Sequence, residues 1–339
     1  MPNHYNPVIR IHSSAPTRID LAGGTLDIWP LYLFHERSQT LNAAISLRAE
    51  CTLTRNPSGR VRISSHDTGQ TVEAAHISEI KENRELALII EIARFFQASG
   101  LDISTRSDSP LGAGLAGSSA LNIALCGGLA RWMNFDSSPD KLIDIAMNIE
   151  AMVLKVPTGV QDYRPAMYGG LAAIEMGASG VNRIPISLDT KELEKRLLLV
   201  YTGQSRNSGL NNWEITKKRI DGDPQTMKIF DELRDISGAM RGSLLSGDWN
   251  NFSEQLNLEW TVRKRLAPNV TTPNLDALVA HSFRAGATAA KVCGAGGGGC
   301  LIVFGEPNTL PNVSSALKQV GATILDYKIE PKGLCVTEE

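Results

Sequence analysis

Pro110-Leu111-Gly112-Ala113-Gly114-Leu115-Ala116-Gly117-Ser118-Ser119-Ala120 is a glycine-rich loop that runs straight into residues 121–133, whose Ala and Leu content predicts a helix. Gly112, Gly114 and Gly117 let the backbone turn tightly and come close to a ligand, and Ser118 and Ser119 fall where the helix begins. Free N–H groups and the positive end of the helix dipole then converge on one point. Such a point is an anion site, suited to phosphate.

Several readings of this stretch stay open. Gly112-x-Gly114-x-x-Gly117 matches the dinucleotide-binding fingerprint, with Asp136 downstream, but that fingerprint should follow a buried strand directly and here follows Thr105-Arg106-Ser107-Asp108-Ser109-Pro110. Gly112 and Gly117 also have Walker-type spacing, yet the lysine due next is Ser118. A lysine-free phosphate loop of the form Pro-x-Gly-x-Gly-Leu-x-x-Ser-Ser-Ala fits without correction. The bland alternative is a tight loop capping a core helix.

The 339 residues are enough for two domains, and 21% charged with 42% apolar residues describes an ordinary globular chain. A formal charge of −2 gives no argument for nucleic acid or an anionic membrane as partner. No apolar run reaches membrane-spanning length and the start lacks a secretory apolar core, so the expected location is the cytoplasm. The five cysteines form no C-x-x-C pair and the six histidines no H-E-x-x-H, which argues against a zinc enzyme.

Residues 8–13 read as a strand leading into Arg18 and Asp20, then the Gly23-Gly24 turn and Asp27. That turn can present Arg18 and Asp27 to a small ligand, or be a surface hairpin. Residues 41–54 and 60–65 read as strands, 85–98 as a helix, and 101–105 as a short strand delivering the chain to the glycine loop. Strands precede helices, so the first half is α+β rather than doubly wound. Residues 139–156 have helical spacing and carry Glu150; on its own a helical Glu is usually solvated. The Gly- and Pro-rich residues 157–170 read as irregular and hold Asp162, either a general base or an Asp satisfying local amides.

A hairpin over 171–186 and a charged connector over 189–195 close the first domain, expected at residues 1–190, and a buried strand from 196 opens the second, 191–339. Residues 204–209 read as a polar loop; 227–245, 250–265 and 274–285 read as helices. A second glycine cluster, Lys291-Val-Cys-Gly-Ala-Gly-Gly-Gly-Gly-Cys-Leu-Ile-Val-Phe304, lies between strands, the wrong context for a dinucleotide. Five glycines in six positions, Gly294 and Gly296 to Gly299, imply close approach to another backbone or to a ligand.

Taken together, residues 18–27, 110–120 and 294–299 resemble, in order, the three motifs of the GHMP kinases, the galactokinase, homoserine kinase, mevalonate kinase and phosphomevalonate kinase superfamily. Arg18-Ile-Asp-Leu-Ala-Gly-Gly24, Leu41-Asn-Ala-Ala-Ile45, Gly159-Val-Gln-Asp162 and the second glycine cluster are most similar to the branch of D-glycero-D-manno-heptose phosphate kinases and the kinase part of fucokinases. The resemblance implies an α+β, two-domain GHMP kinase fold, with a ribosomal protein S5 domain 2-like N-terminal domain, a ferredoxin-like C-terminal domain and ATP between them. It implies that Gly112, Ala113, Gly114, Leu115, Ala116, Gly117, Ser118 and Ser119 bind the triphosphate, with Ser119 and Glu150 as Mg²⁺ ligands. Asp162 then matches the proton-accepting carboxylate and Arg18 the basic position beside the reacting hydroxyl. Asp27, Gly23, Gly24, Asn42, Gly296, Gly297 and Gly298 match acceptor-binding positions. Where the branch usually has Gly-Leu-Gly-Thr/Ser-Ser-Ser, this chain has Gly114-Leu-Ala-Gly-Ser-Ser119, and Leu26 is inserted before Asp27.

The implied function is an ATP-dependent kinase of a sugar or sugar phosphate, a heptose phosphate first of all. A free-sugar kinase of the fucokinase or galactokinase kind and a catalytically idle sensing relative are the alternatives. Arg164, Arg206, Lys217, Lys218 and Lys264 are the cations that could serve a phosphorylated acceptor, and oligomeric state is not legible.

Overall fold

The computed structural model describes residues 10–204 and 209–339. In chain order the elements are β1 (Arg10–Ala22), β2 (Ser38–Arg55), β3 (Val61–Ser65), β4 (Thr71–Ala74), α1 (Ala87–Phe95), β5 (Leu101–Ser107), α2 (Gly117–Trp132), α3 (Pro139–Leu154), α4 (Tyr163–Tyr168), β6 (Leu171–Gly177) and β7 (Gly180–Pro185). There follow α5 (Thr190–Glu194), β8 (Leu197–Tyr201), α6 (Gly209–Ile220), α7 (Pro224–Ser246), α8 (Trp249–Arg263), α9 (Pro273–Arg284), β9 (Ala289–Val292), β10 (Cys300–Phe304), α10 (Leu310–Gln319), β11 (Thr323–Leu325) and β12 (Cys335–Glu338).

The first sheet runs β12-β1-β2-β5-β3-β4, with β6 on β2 and β7 on β6. Strand β2 organises it. Along one edge it pairs with β1; on the other, residues 49–55 pair with β5 and residues 38–43 with β6, leaving a split between. The chain leaves β5 at that split toward the glycine loop and re-enters at Gly170, whose carbonyl accepts from the Ala44 amide at 2.9 Å. Two loops far apart in sequence therefore share one end of the sheet. Opposite the split, β1 has a register shift between Pro16 and Thr17, which re-aims the residues that follow, Arg18 among them.

Helix α2 is buried along most of its length and lies close to the sheet. A Cβ on Gly128 would sit 3.1 Å from Cys51 Sγ and from Ser13 Cβ, so glycine here lets the helix lie tight against β1 and β2. With α1 and α3 it closes one core over the first sheet.

The second sheet, β11-β8-β10-β9, is antiparallel. Strand β10 is buried on both faces, and its side chains alternate between two cores: Cys300, Ile302 and Phe304 join one with α7, α8 and the first sheet, while Leu301 and Val303 pack on α9 and α10. The two sheets thus share a core.

Residues 157–170 are not wholly irregular, since α4 occupies part of them, and the 189–195 connector contains α5. Strand β4 and helix α6 were not legible as elements. The chain's final stretch returns across the expected 191–339 unit: Ile329 bridges Ile45, and β12 pairs with β1. Val8, at the start of the first expected strand, and Arg206 lie outside the described residues.

Candidate active site

The glycine loop, the turn after β1, the loop before α4 and the second glycine cluster enclose a cleft of 380 Å³. All of residues 110–119 line it. Gly112 and Gly114 have φ of 69° and 77°, and Ala116, at 59°, turns left-handed just before α2. No side chain caps that helix, so its first amides are presented without competition from a cap. A Cβ on Gly117 would lie 2.9 Å from Ser109 Oγ, so a larger residue there would displace that hydroxyl. The dinucleotide alternative fails on context, because nine residues, 108–116, separate β5 from α2.

At the far side of the loop, Arg18 Nε and Nη2 donate to Asp162 Oδ1 at 2.9 and 2.6 Å. Arg18 Nη1 donates to the Gly114 carbonyl at 2.8 Å, and its backbone amide to Leu115 O at 2.9 Å. The arginine is thereby fixed to the glycine loop and to Asp162 at once. Burial alone would lower its pKa, but Asp162 and Asp20 together raise it, so it is a permanent cation. Asp162 stands at the start of α4 with its side chain 28% exposed, whereas Arg18 is buried.

Glu150, from α3, is buried and accepts three hydroxyls: Ser118 at 2.7 Å, Ser119 at 3.0 Å and Tyr163 at 2.7 Å. Burial raises its pKa, against the lowering effect of those hydrogen bonds. No cluster of three or more His, Cys, Asp or Glu suited to a metal occurs among the described residues. A hard cation bound here would instead rely on the Ser119 and Glu150 oxygens together with phosphate oxygens, a donor set that fits Mg²⁺.

Asp27 is buried in the cleft wall, with Oδ2 accepting from the Gln161 backbone amide at 3.0 Å. Burial, and then the neighbouring Asp162, push its pKa up to about 7. A Cβ on Gly159 would strike that carboxylate at 1.9 Å, so the glycine before Val160 exists to admit Asp27.

Behind these groups lies a buried ion network. Lys291 Nζ donates to Asp20 Oδ2 at 2.7 Å, and Asp20 Oδ1 accepts from the Gly294 amide at 2.7 Å. Arg263 Nε donates to Glu259 Oε1 at 2.9 Å, while Nη1 reaches Thr25 Oγ1 at 3.2 Å and Nη2 reaches Gly24 O at 3.0 Å. Burial would raise the Asp20 pKa, but Lys291 and then Arg18 reverse that and hold it below the usual carboxylate value. Burial likewise works against the Arg263 cation, and Glu259 more than offsets it.

Other expected positions fall elsewhere. Gly24 lines the cleft, but Gly23 packs on β2, where a Cβ would meet Gln39 O at 2.2 Å. Asn42 is buried in β2 with Nδ2 on Thr40 Oγ1 at 2.9 Å, away from the cleft walls. Of the second cluster, Gly294 and Ala295 face the cleft; Gly296 and Gly297 turn to Val270 and Asn269, and Gly298 is not part of its wall. The expected close approach is to a backbone: a Cβ on Gly299 would lie 2.5 Å from Ala113 O, which accepts from the Cys300 amide at 2.7 Å. The second glycine loop is the backing of the first. None of Arg164, Lys217, Lys218 and Lys264 lines the cleft; Arg164 pairs with Asp140 at 2.9 Å. Sequence reasoning passed over Glu259 and Arg263, which resemble any i,i+4 surface pair, and Lys291, whose signal was a charge inside an apolar strand.

An uncapped helix start beside a carboxylate paired with a fixed arginine is an arrangement suited to moving a phosphoryl group onto a hydroxyl. The chain carries both GHMP kinase domains: the GHMP kinases N terminal domain matches residues 86–170, and the GHMP kinases C terminal domain residues 240–323. It is 28% identical over 334 residues to the D-glycero-alpha-D-manno-heptose 7-phosphate kinase of Campylobacter jejuni, covering 96% of this chain and 98% of that one. It is also 25% identical to the mevalonate kinase of Thermococcus sibiricus, covering 97% and 99%. Among solved structures, a D-glycero-D-manno-heptose 1-phosphate kinase from Bacteriodes thetaiotaomicron superposes with a TM-score of 0.78 at 24% identity, covering 96% of this chain and 98% of that one.

Proposed function

We propose that this protein transfers the γ-phosphate of ATP to a hydroxyl of a heptose phosphate. The observation that carries the reading is the 2.6 Å Arg18–Asp162 pair, set between the amide-rich loop 112–119 and the Asp27 wall. Phosphoryl transfer has a loose transition state with charge spread over oxygens, so positioning and electrostatic stabilisation dominate the chemistry. The loop amides and the α2 dipole supply that stabilisation for the triphosphate. Ser119 and Glu150 would hold Mg²⁺, which neutralises phosphate charge when bound.

On the acceptor side, Asp27 and the Gly24 turn face the sugar. Asp162 takes the proton of the reacting hydroxyl, whose oxygen forms the new bond to the γ-phosphorus as the bond to the β-phosphate oxygen breaks and ADP leaves. Arg18 cannot give up its proton, so it orients Asp162 and stabilises charge. Holding Asp162 through Oδ1 alone orients the carboxylate without enclosing it.

The heptose phosphate assignment draws on similarity to the two heptose phosphate kinases along nearly the whole chain. An ADP-release assay with free and phosphorylated heptoses and hexoses, fucose included, tests it. The highest kcat/KM is expected for a heptose phosphate. A free sugar as best acceptor would replace that assignment with a fucokinase-like one, and no ADP release with any acceptor would point to an idle sensing relative.

A further inference from the structure

Behind the reaction centre, the ion network joins parts of the chain that the chemistry needs in register. Lys291 is wholly buried, and its three protons are directed to Asp20 Oδ2 at 2.7 Å, Asp20 O at 2.9 Å and Val292 O at 3.3 Å. It has no route to a substrate. Asp20 in turn divides its carboxylate between Lys291 and the Gly294 amide, with Oδ1 also 3.9 Å from Arg18 Nη1. One side chain on β1 therefore ties the strand carrying Arg18 to the loop that backs Ala113. Glu259 Oε2 has no hydrogen-bond partner and sits 3.9 Å from Lys291, so Lys291 also answers part of that buried charge. The cations Arg18, Lys291 and Arg263 match the anions Asp162, Asp20 and Glu259 in number, and removing one member alone leaves an uncompensated buried charge.

We propose that Lys291 is a positioning residue for phosphoryl transfer, clamping Asp20 so that the second glycine loop and the Arg18–Asp162 pair are held as one body. Lys291 and Gly294 come from the second half of the chain and Arg18 from the first, so the clamp sets how the two halves meet at the reacting atoms. The inference rests on the reading of Asp162 as the base, and its test is separable from that reading.

Lys291→Met alone strands Asp20 in the core, so the decisive variant is Asp20→Asn with Lys291→Met, which removes both charges at nearly constant volume. With thermal unfolding confirming the folded state, kcat is expected to fall at least tenfold with the KM for ATP and acceptor within twofold of wild type. Amide hydrogen exchange, read by mass spectrometry, is expected to quicken at residues 293–300 and 110–116 and nowhere else. Wild-type kcat and exchange in the folded double variant would overturn the proposal, as would exchange quickened throughout with both KM values raised, the mark of a merely structural role. If the double variant does not fold, Lys291→Arg, which keeps the buried charge paired but changes its reach to Asp20, decides by the same two readouts. Should wild-type protein release no ADP with any acceptor, the functional reading fails and the exchange pattern still decides this one.

Discussion

Gly299→Ala is the substitution whose cost follows most directly from the geometry. Gly299 has φ +83°, and an added Cβ would lie 2.5 Å from Ala113 O, 2.7 Å from Ala113 C and 3.0 Å from Gly112 O. These are backbone atoms and cannot rotate aside. The left-handed conformation costs an L-residue about 1–2 kcal/mol, overpacking a close contact about 1–3 kcal/mol, and weakening the 2.7 Å Cys300–Ala113 bond about 1 kcal/mol. The total is about 3–6 kcal/mol. With an unfolding entropy of roughly 2.1 cal/mol/K per residue over 339 residues, that lowers Tm by about 4–8 °C. Because the displaced group is Ala113, the KM for ATP is expected to rise more than that for the acceptor. Gly242→Ala is the control: it is an exposed position in α7 with nothing within 4 Å of the new Cβ, and should gain about 0.5–1 kcal/mol. Scanning calorimetry and steady-state kinetics on both variants check the reasoning. A Gly299→Ala protein with wild-type Tm and wild-type KM for ATP would show that the two glycine loops are not packed as described.

Asp162→Asn is expected to lower kcat by about 10²–10⁴, the usual worth of a general base, while leaving ATP binding by calorimetry unchanged; near-wild-type turnover would remove Asp162 from that role. Ser119→Ala and Glu150→Ala should each raise the Mg²⁺ concentration needed for half-maximal rate, and an unaltered Mg²⁺ titration in both would place the metal elsewhere. Asp27 binds its proton more tightly folded, with a pKa of about 7, than unfolded, at an ordinary aspartate value of 3.8. Between those values the native state holds the extra proton, so stability falls as pH rises through the window and levels off above it. Urea denaturation from pH 4 to 8 should show that decline in wild type and a flatter profile in Asp27→Asn; identical slopes would contradict the assignment. Each of these tests is local to one side chain.

How much of this was legible beforehand depended on whether the relevant signal is local. The loop at 110–120 announced itself because tight backbone needs glycine and the following helix needs Ala and Leu, and α2 begins at Gly117 beside the expected serines. The density of glycine at 294–299 correctly demanded a close neighbour, but sequence could not say that the neighbour is Ala113 rather than a ligand. Pairing of Arg18 with Asp162 depends on the split along β2 and the β1–β2 register shift between Pro16 and Thr17, which are properties of the sheet and not of either segment. Gly and Pro in 157–170 pointed to irregular chain; α4 forms nonetheless because Pro165 falls in its first turn, where no intrahelical amide is lost. Helix α6 offered only four apolar residues among its twelve, Leu210, Trp213, Ile215 and Ile220, too few for a clear periodic signal. Glu259 and Arg263 were hidden by their ordinary spacing, since nothing in an i,i+4 pair reveals that it is buried.

The return of β12 to β1 has a consequence for how the molecule is made. During synthesis the first sheet must wait, with one flank of β1 bare, until residues 335–338 emerge to cover it. An unpaired flank of that kind is where other chains add on. Strand β12 is thus a late seal over that flank of the sheet.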